Sequence, residues 1–450
     1  MARLWEGGGV EADRAVAEYT AADDAVLDNH IIGQDIATNA AHVRMLAACG
    51  YLGTQERDAI LGELAKIREL WRQGRFVIQP EDEDVHTRIE TTVTAAIGEP
   101  GRRIHTGRSR NDQVLTDMRL FLRQNLASLA GDALDLAGAF DEWARRYSDL
   151  AMPGYTHMQR AMPSSVGLWA GAFAEALTDD AAQLLAQYRA ADACPLGSGA
   201  GYGVILGIDR EMAAGLLGFS RVQYNPIHCQ NSRGRIEGMA LAAVSGLMMT
   251  LGRFATDMLL YTTAEYDFFE VEKRLTTGSS IMPQKKNLDI MELLRARVRT
   301  VQACEQLVKA IPGGLPSGYA RDLQETKKPI IDAFAHARSS LGITGALLGG
   351  MRPKRDRMLA ALSPDIYATD EVFRLVESGT PFRDAYRLVK DRLDAVAVPA
   401  SGVQLDGKAT PGTPANPALD AVRKRLAALQ AEAREARARE DGLLDRLLTL

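Results

Sequence analysis

The stretch Thr276-Thr277-Gly278-Ser279-Ser280-Ile281-Met282-Pro283-Gln284-Lys285-Lys286-Asn287 gathers lysines, serine hydroxyls, side-chain amides, a glycine and a proline between two helical patterns. A loop that encloses an anion needs that set: ammonium and amide donors converge on the charge while glycine and proline shape the backbone. A solvated linker can carry the same residues, and residue type alone leaves both readings open. Asp289 and Glu292 follow in the first turn of the next helix, where acids are favoured whether or not they act chemically. His157, in the run Met152-Pro153-Gly154-Tyr155-Thr156-His157, reads either as a structural hydrogen-bonder or as a proton shuttle. Arg110 alone reads as a surface charge as readily as an anion holder. His86, His105 and His228 lack metal-ligand spacing, so no metal is expected. Gly197 to Gly203 lacks the GxGxxG spacing and the Walker lysine of a nucleotide loop; it reads as a tight backbone passage, and no cofactor is expected.

Positioning these residues falls to helices. Periodicity predicts long helical segments over about 111–148, 164–191, 232–264, 289–311 and 322–349, with few strand signals and no internal repeat. Pro163 is expected in a first helical turn, and Pro312-Gly313-Gly314 ends a helix. The third segment, with Ile236, Met239, Ala240, Ala243, Leu247, Met248 and Leu251, is apolar nearly all round and is expected at the centre of a bundle. In the fourth, Ile290, Leu293, Leu294 and Val298 are expected to form the buried stripe. Helices this long predict burial shared between subunits. The expected organisation is all-α in three helical domains: 1–107, mainly helical; 108–351, a long five-helix bundle; and 352–450, a small helical domain. The last contains a loop over Ala400 to Pro417 and a final helix whose stripe is Leu419, Val422, Leu426 and Leu429, with Arg423, Lys424 and Arg425 on a solvated face.

Gly-Ser-Ser-x-Met-Pro-x-Lys-x-Asn at 278–287 resembles the signature of the fumarase/aspartase superfamily. His105-Thr106-Gly107-Arg108-Ser109-Arg110-Asn111-Asp112-Gln113-Val114 and Pro153-Gly154-Tyr155-Thr156-His157-Met158-Gln159 are similar to segments of its argininosuccinate lyase family, as are Glu83 to His86, Pro195 to Ala200 and Gly379 to Ala385. The resemblance runs nearly the whole chain. It implies a homotetramer with a core of roughly 20 helices and sites shared between subunits, and a small-molecule substrate, argininosuccinate or another N-substituted aspartate, cleaved to release fumarate. It further implies that Ser279 is the base, that His157 serves the departing nitrogen with Glu292 orienting it, and that Lys285 stabilises the developing charge. Arg110, Asn111, Thr156, Lys285 and Asn287 would hold the fumarate half, with Ser109 beside them. Tyr319, Gln324 and Lys327 would face the amino-acid half. A serine base needs a desolvated site with positive charge nearby, and proton loss from carbon beside a carboxylate gives an aci-type carbanion that pre-placed donors must accept.

Three positions depart from the family pattern: Asn39 stands for a substrate-contacting serine, Asn231-Ser232-Arg233-Gly234 stands for Ser-Asp-Arg-Asp and keeps only Arg233 in place, and Ala320 stands for asparagine. They motivate an alternative, a lyase for a different N-succinyl amine; a crystallin-like structural protein is a third reading, opposed by retention of His157, Ser279, Lys285 and Glu292. Composition excludes other classes. With 450 residues, 46% of them hydrophobic, and a net charge of -5, the chain has a sizeable core and no basic footprint for nucleic acid. Four scattered cysteines form no CxxC pair and predict free thiols, which with the absence of a signal-like start points to the cytoplasm. The charge-free stretch Gly238 to Gly252 is shorter than the about 20 residues of a membrane span.

Overall fold

The computed structural model describes residues 14–21, 23–79, 82–396 and 410–449. The leading helices are α1 (Ile32–Ala48), α2 (Thr54–Arg72) and α3 (Val85–Ile97), followed by the bundle helix α4 (Arg110–Arg146). A hairpin of β1 (Ala151–Thr156) and β2 (Gln159–Ser165) leads to α5 (Val166–Ala191), then α6 (Arg235–Tyr261), α7 (Asp289–Ala310) and α8 (Lys327–Gly349) complete the bundle. Beyond it lie α9 (Ala368–Glu377), α10 (Phe382–Lys390) and α11 (Leu419–Glu440). The five expected bundle helices are all present, and the fold is dominated by helix.

Local sequence sets the helix limits. Ser109 caps α4 by accepting from the Asn111 amide at 3.2 Å, while Asp112 reaches back to the Ser109 amide at 2.9 Å, a reciprocal capping box. Ser165 caps α5 through the Leu168 amide at 3.0 Å. Inside, Phe140, Phe173, Phe254 and Trp169 meet edge-on or tilted, with centroids 5.2 to 5.9 Å apart where Phe254 touches the other three, locking α4, α5 and α6 together. Phe254 is 1% exposed, so truncation to alanine costs about 3–5 kcal/mol.

The helices alternate in direction, which gives the bundle two distinct ends. At one end lie the start of α4, the start of α6 and the end of α7, where Gly234 packs against Pro312. At the other, Tyr155 in β1 stacks near Tyr261 at the end of α6, with ring centroids 6.4 Å apart. The short strand Phe269–Val271 there pairs with Met351–Pro353 after α8. With 37 residues at about 1.5 Å rise each, α4 holds its two ends roughly 55 Å apart.

Several expectations need correction. Pro163 is not in a helical turn: it lies in β2 opposite Pro153 in β1, a pairing that two donor-lacking residues disguise in sequence. Leu294 and Val298 are buried on α7 as expected, but Leu293 is 58% exposed, and Met291 and Val301 join the buried face. On the central α6, Met239 and Met249 are 52% and 56% exposed in the single chain. Arg423 is exposed as expected, and its guanidinium also binds Asp141 at 2.5 and 2.8 Å, which ties α11 to α4. Leu419, Val422 and Leu426 are buried as expected. Residues 400–409 of the expected Ala400 to Pro417 loop lie outside the described residues. All four cysteines are free, Cys194 and Cys229 buried, Cys49 and Cys304 partly so. The helical stretch Pro226–Tyr261 has the length and apolar character of a membrane span, yet 61% of its apolar window is buried inside this fold.

Candidate active site

At the end of the bundle where α4 begins, five segments enclose a cavity of about 340 Å³. Arg110 and Asn111 enter from the first turn of α4, Arg233 from the turn before α6, Tyr319 and Gln324 from the segment before α8, and Lys327 from its first residue; Asp24, Asp28 and Glu83 to His86 close the remaining wall. Six of the residues singled out in the sequence are thus brought together, although they span nearly half the chain.

Most of the charges in this cavity are already matched. Lys327, buried, donates to Asp28 at 2.5 Å and lies 2.7 Å from Asp24; burial opposes its charge, but the two carboxylates outweigh that and raise its pKa. Asp28 also accepts from the Val85 amide at 3.0 Å, so the amino end of α3 is fastened to the same point. Arg110 donates to Asp84 at 3.0 Å and to Thr87 at 2.9 Å. Gln324 and Arg321 both donate to the Thr20 carbonyl, at 3.2 and 2.7 Å. Arg233 differs: it is 3% exposed, and its Nε and Nη1 are sealed from solvent with no hydrogen-bond partner among the described residues. An unpaired buried guanidinium is costly, and an anion in the cavity would offset its charge through Nη2, the one guanidinium nitrogen not sealed from solvent.

Behind the wall is a buried polar network. His86 Nδ1 donates to Asp35 Oδ1 at 2.8 Å; Gln113 donates to the same oxygen at 2.6 Å, and Asn39 donates to Asp35 Oδ2 at 2.9 Å. Thr38 donates to Asp117 at 2.5 Å, and Arg108 donates to Asn39 Oδ1 at 2.6 Å. Burial alone would lower the His86 pKa, but Asp35, Asp84 and Asp117 overcome it and carry it up to about 9. Burial and the charge of Asp35 push Asp117 well above the usual carboxylate range, while Asp35 stays low because His86 and Arg108 offset its own burial. Asp35, His86 and Asp117 are the one group among the described residues whose ligand atoms all lie within 4.8 Å of one another. A 2.8 Å nitrogen–oxygen separation bridged by a proton, with Gln113 on the same oxygen, makes the trio a hydrogen-bonded charge network. Asn39 therefore has both ends of its amide engaged within the protein, and Ser109 is engaged in capping α4.

The other candidates sit at the opposite end of the bundle. Thr156 and Gln159 close the β1–β2 hairpin, leaving His157 and Met158 as its two turn residues, exposed and at φ +52° and +62°. Such a turn ordinarily takes Asn-Gly; placing His and Met there strains the backbone and holds the imidazole out from the surface. In the loop before α7, Thr277-Gly278 pairs with Lys286-Asn287, closing the intervening residues into a projecting tongue. Within it the Ser279 hydroxyl oxygen accepts from two backbone amides, Ile281 at 3.3 Å and Met282 at 3.0 Å. Lys285 is exposed, Asn287 is half-buried, and Glu292 lies exposed in the first turn of α7. The 22 residues of α7, about 33 Å, separate this end from the first.

A lyase family model matches residues 8–303. The argininosuccinate lyase of Sorangium cellulosum is 42% identical over 424 residues, covering 94% of this chain and 98% of that protein. The chain belongs to the argininosuccinate lyase family. Within that family, the argininosuccinate lyase of Thermotoga neapolitana is 40% identical over 390 residues, covering 87% of this chain and 98% of its own. Among solved structures, EDDS lyase in complex with formate superposes with a TM-score of 0.77 at 23% identity, over 97% of this chain and 96% of that one. The class II fumarase of Schistosoma mansoni gives 0.71 at 14% identity, over 87% and 96%. These two share the helical fold of the fumarase/aspartase superfamily.

Family motifs pointed to Arg110, Asn111, the tongue and the segment Glu83 to His86, but not to Asp28 or to the joining of Asp35, His86 and Asp117 in one network. A signal for the network exists in hindsight: Asp35, Asn39 and His42 recur at helical spacing along α1, a helix whose other face carries Ile32, Ile36, Ala40 and Val43. Polar residues on a helix buried on every side require partners, and Gln113 and Asp117, one turn apart on α4, supply them.

Proposed function

We propose that the protein cleaves argininosuccinate to arginine and fumarate, as a homotetramer in which each site combines the cavity end of one copy with the tongue and hairpin ends of others. The observation that carries the chemistry is the pair of amides on Ser279 Oγ: they donate to the atom that must bear negative charge for a serine to act as a base. Ser279, as its alkoxide, takes the proton from the carbon beside a substrate carboxylate, and the electron pair enters that carboxylate as an aci-carbanion. Lys285 and Asn287 donate to it. The carbon–nitrogen bond then breaks, His157 delivers a proton to the departing guanidino nitrogen, and Glu292 orients the imidazole.

Assembly follows from distance. The 22 residues of α7 separate the tongue from the Pro312 end by roughly 33 Å, too far for one small dicarboxylate to span. Leu293 and Leu307 leave α7 with an exposed apolar face, at 58% and 49%, that suits helix packing between copies. The domain limits 1–107, 108–351 and 352–450 and the cytoplasmic location remain part of this reading. Incubating the purified protein with argininosuccinate while following fumarate absorbance tests it; no fumarate from argininosuccinate overturns it.

The uncompensated Arg233 favours one alternative, the same base and fumarate with another leaving amine. A panel of N-succinyl amines in the same assay decides between them: turnover of a panel member well above that of argininosuccinate selects the alternative.

A further inference from the structure

Two cations lining the cavity stand apart from the rest: one makes no side-chain hydrogen bond among the described residues, and one keeps a ring nitrogen without a partner. Lys327 is taken by Asp24 and Asp28, Arg110 by Asp84 and Thr87, and Arg321 by Thr20. Arg233 is one that remains. The other is His86, which lines the cavity at 6% exposure. Its Nδ1 is committed to Asp35, whereas its Nε2 has no partner among the described residues and is not among the polar atoms sealed from solvent. The ring is held from three sides: by Asp35 on α1, by Asp84 immediately before α3, and by Asp117 on α4. The positive groups facing it are Arg108 and Arg110 at the start of α4, with His105 kept neutral at ordinary pH because burial, Arg108 and His86 push its pKa down to about 4.

We propose that His86 is a substrate-binding residue, a charged imidazolium pinned by Asp35 whose free Nε2–H donates to a substrate carboxylate in this cavity, opposite Arg233. The proposal deepens the reading above and rests on it, since it assumes an anionic substrate. A carboxylate held between an imidazolium and a guanidinium gains two charge-assisted hydrogen bonds, and the substrate is recognised as an anion before the tongue of another copy reaches it.

His86→Asn separates this role from a structural one. The asparagine amide can still donate to Asp35 from the position of Nδ1, while nothing replaces Nε2. KM for argininosuccinate should rise about tenfold at pH 7 with kcat within about threefold, as for loss of one charge-assisted bond. Wild-type KM should climb as pH passes about 9, where the imidazolium loses its proton, and the variant should lack that limb. An unchanged KM with the alkaline limb intact overturns the proposal. If His86→Asn fails to assemble, Asp35→Asn serves: weakening the acceptor on Nδ1 should move the limb toward neutral pH, and a limb that stays near 9 overturns the assignment. Product binding, read as the rise in unfolding midpoint with fumarate or with arginine, needs no turnover. A weaker rise in His86→Asn supports the proposal even if wild type releases no fumarate from argininosuccinate, whereas equal rises with both products refute it.

Discussion

Two inactive variants should restore one another. Ser279→Ala removes the proposed base at the tongue, and Arg110→Ala removes a cation at the cavity end; each alone should leave almost no fumarate release. With about 33 Å of α7 and about 40 Å of the 27-residue α6 between these ends, one chain cannot bring its own two residues to one substrate. When the variants are co-expressed in equal amounts and assemble at random, a site needs an intact Ser279 from one copy and an intact Arg110 from another. Each condition is met half the time, so activity should recover to about one quarter of wild type. The assay is fumarate absorbance on the co-purified mixture, with each variant alone as baseline. A mixture no more active than the mean of its two components would refute the split-site argument, because sites complete within one chain cannot be repaired by a neighbour.

Ser279→Ala by itself should lower kcat by at least about a hundredfold with helicity and assembly unchanged, since the hydroxyl contacts only its own tongue; wild-type rates would remove Ser279 from the mechanism. His157→Asn should likewise cause a large loss in kcat, and an unchanged rate would place proton delivery elsewhere. Leu293→Lys puts a charge on a side chain already 58% exposed in the single chain, so a monomer should tolerate it; light scattering should nonetheless show loss of the tetramer, and an intact tetramer would exclude this face from the interface. Stability should depend on His86 with a defined sign. Its folded pKa of about 9 exceeds the unfolded 6.5, so its contribution is complete below pH 6.5 and is lost as pH rises through 9; unfolding free energies of wild type and His86→Asn from urea titrations should converge over that window by about 3 kcal/mol.

Much of this fold was legible because long helices write their period into the sequence. The limits of α4, α5 and α7 came within a few residues of expectation, and Pro312 ended α7 where it should. The β1–β2 hairpin escaped because its strands carry Pro153 and Pro163 and its turn is His157-Met158, with none of the alternation or Asn-Gly chemistry that marks a hairpin. Leu293 was misassigned for a different reason: periodicity finds apolar faces but does not say whether the same chain or another copy covers them. The cavity residues were found through family motifs, yet Asp28, 57 residues from the Val85 amide and 299 from Lys327, left no local trace. Partners that meet only through tertiary structure are invisible to spacing.

Gly234 constrains how this chain can change. It stands where the family pattern has an aspartate, at φ +78° and ψ −33°, and a side chain there would begin 3.1 Å from Pro312 Cγ. Restoring the acid by one substitution therefore meets both a disfavoured backbone and a collision, so Pro312 would have to give way first. The bare guanidinium of Arg233 is correspondingly hard to revert, and any engineering of the leaving-group pocket should accept it as fixed and redesign the ligand side around it.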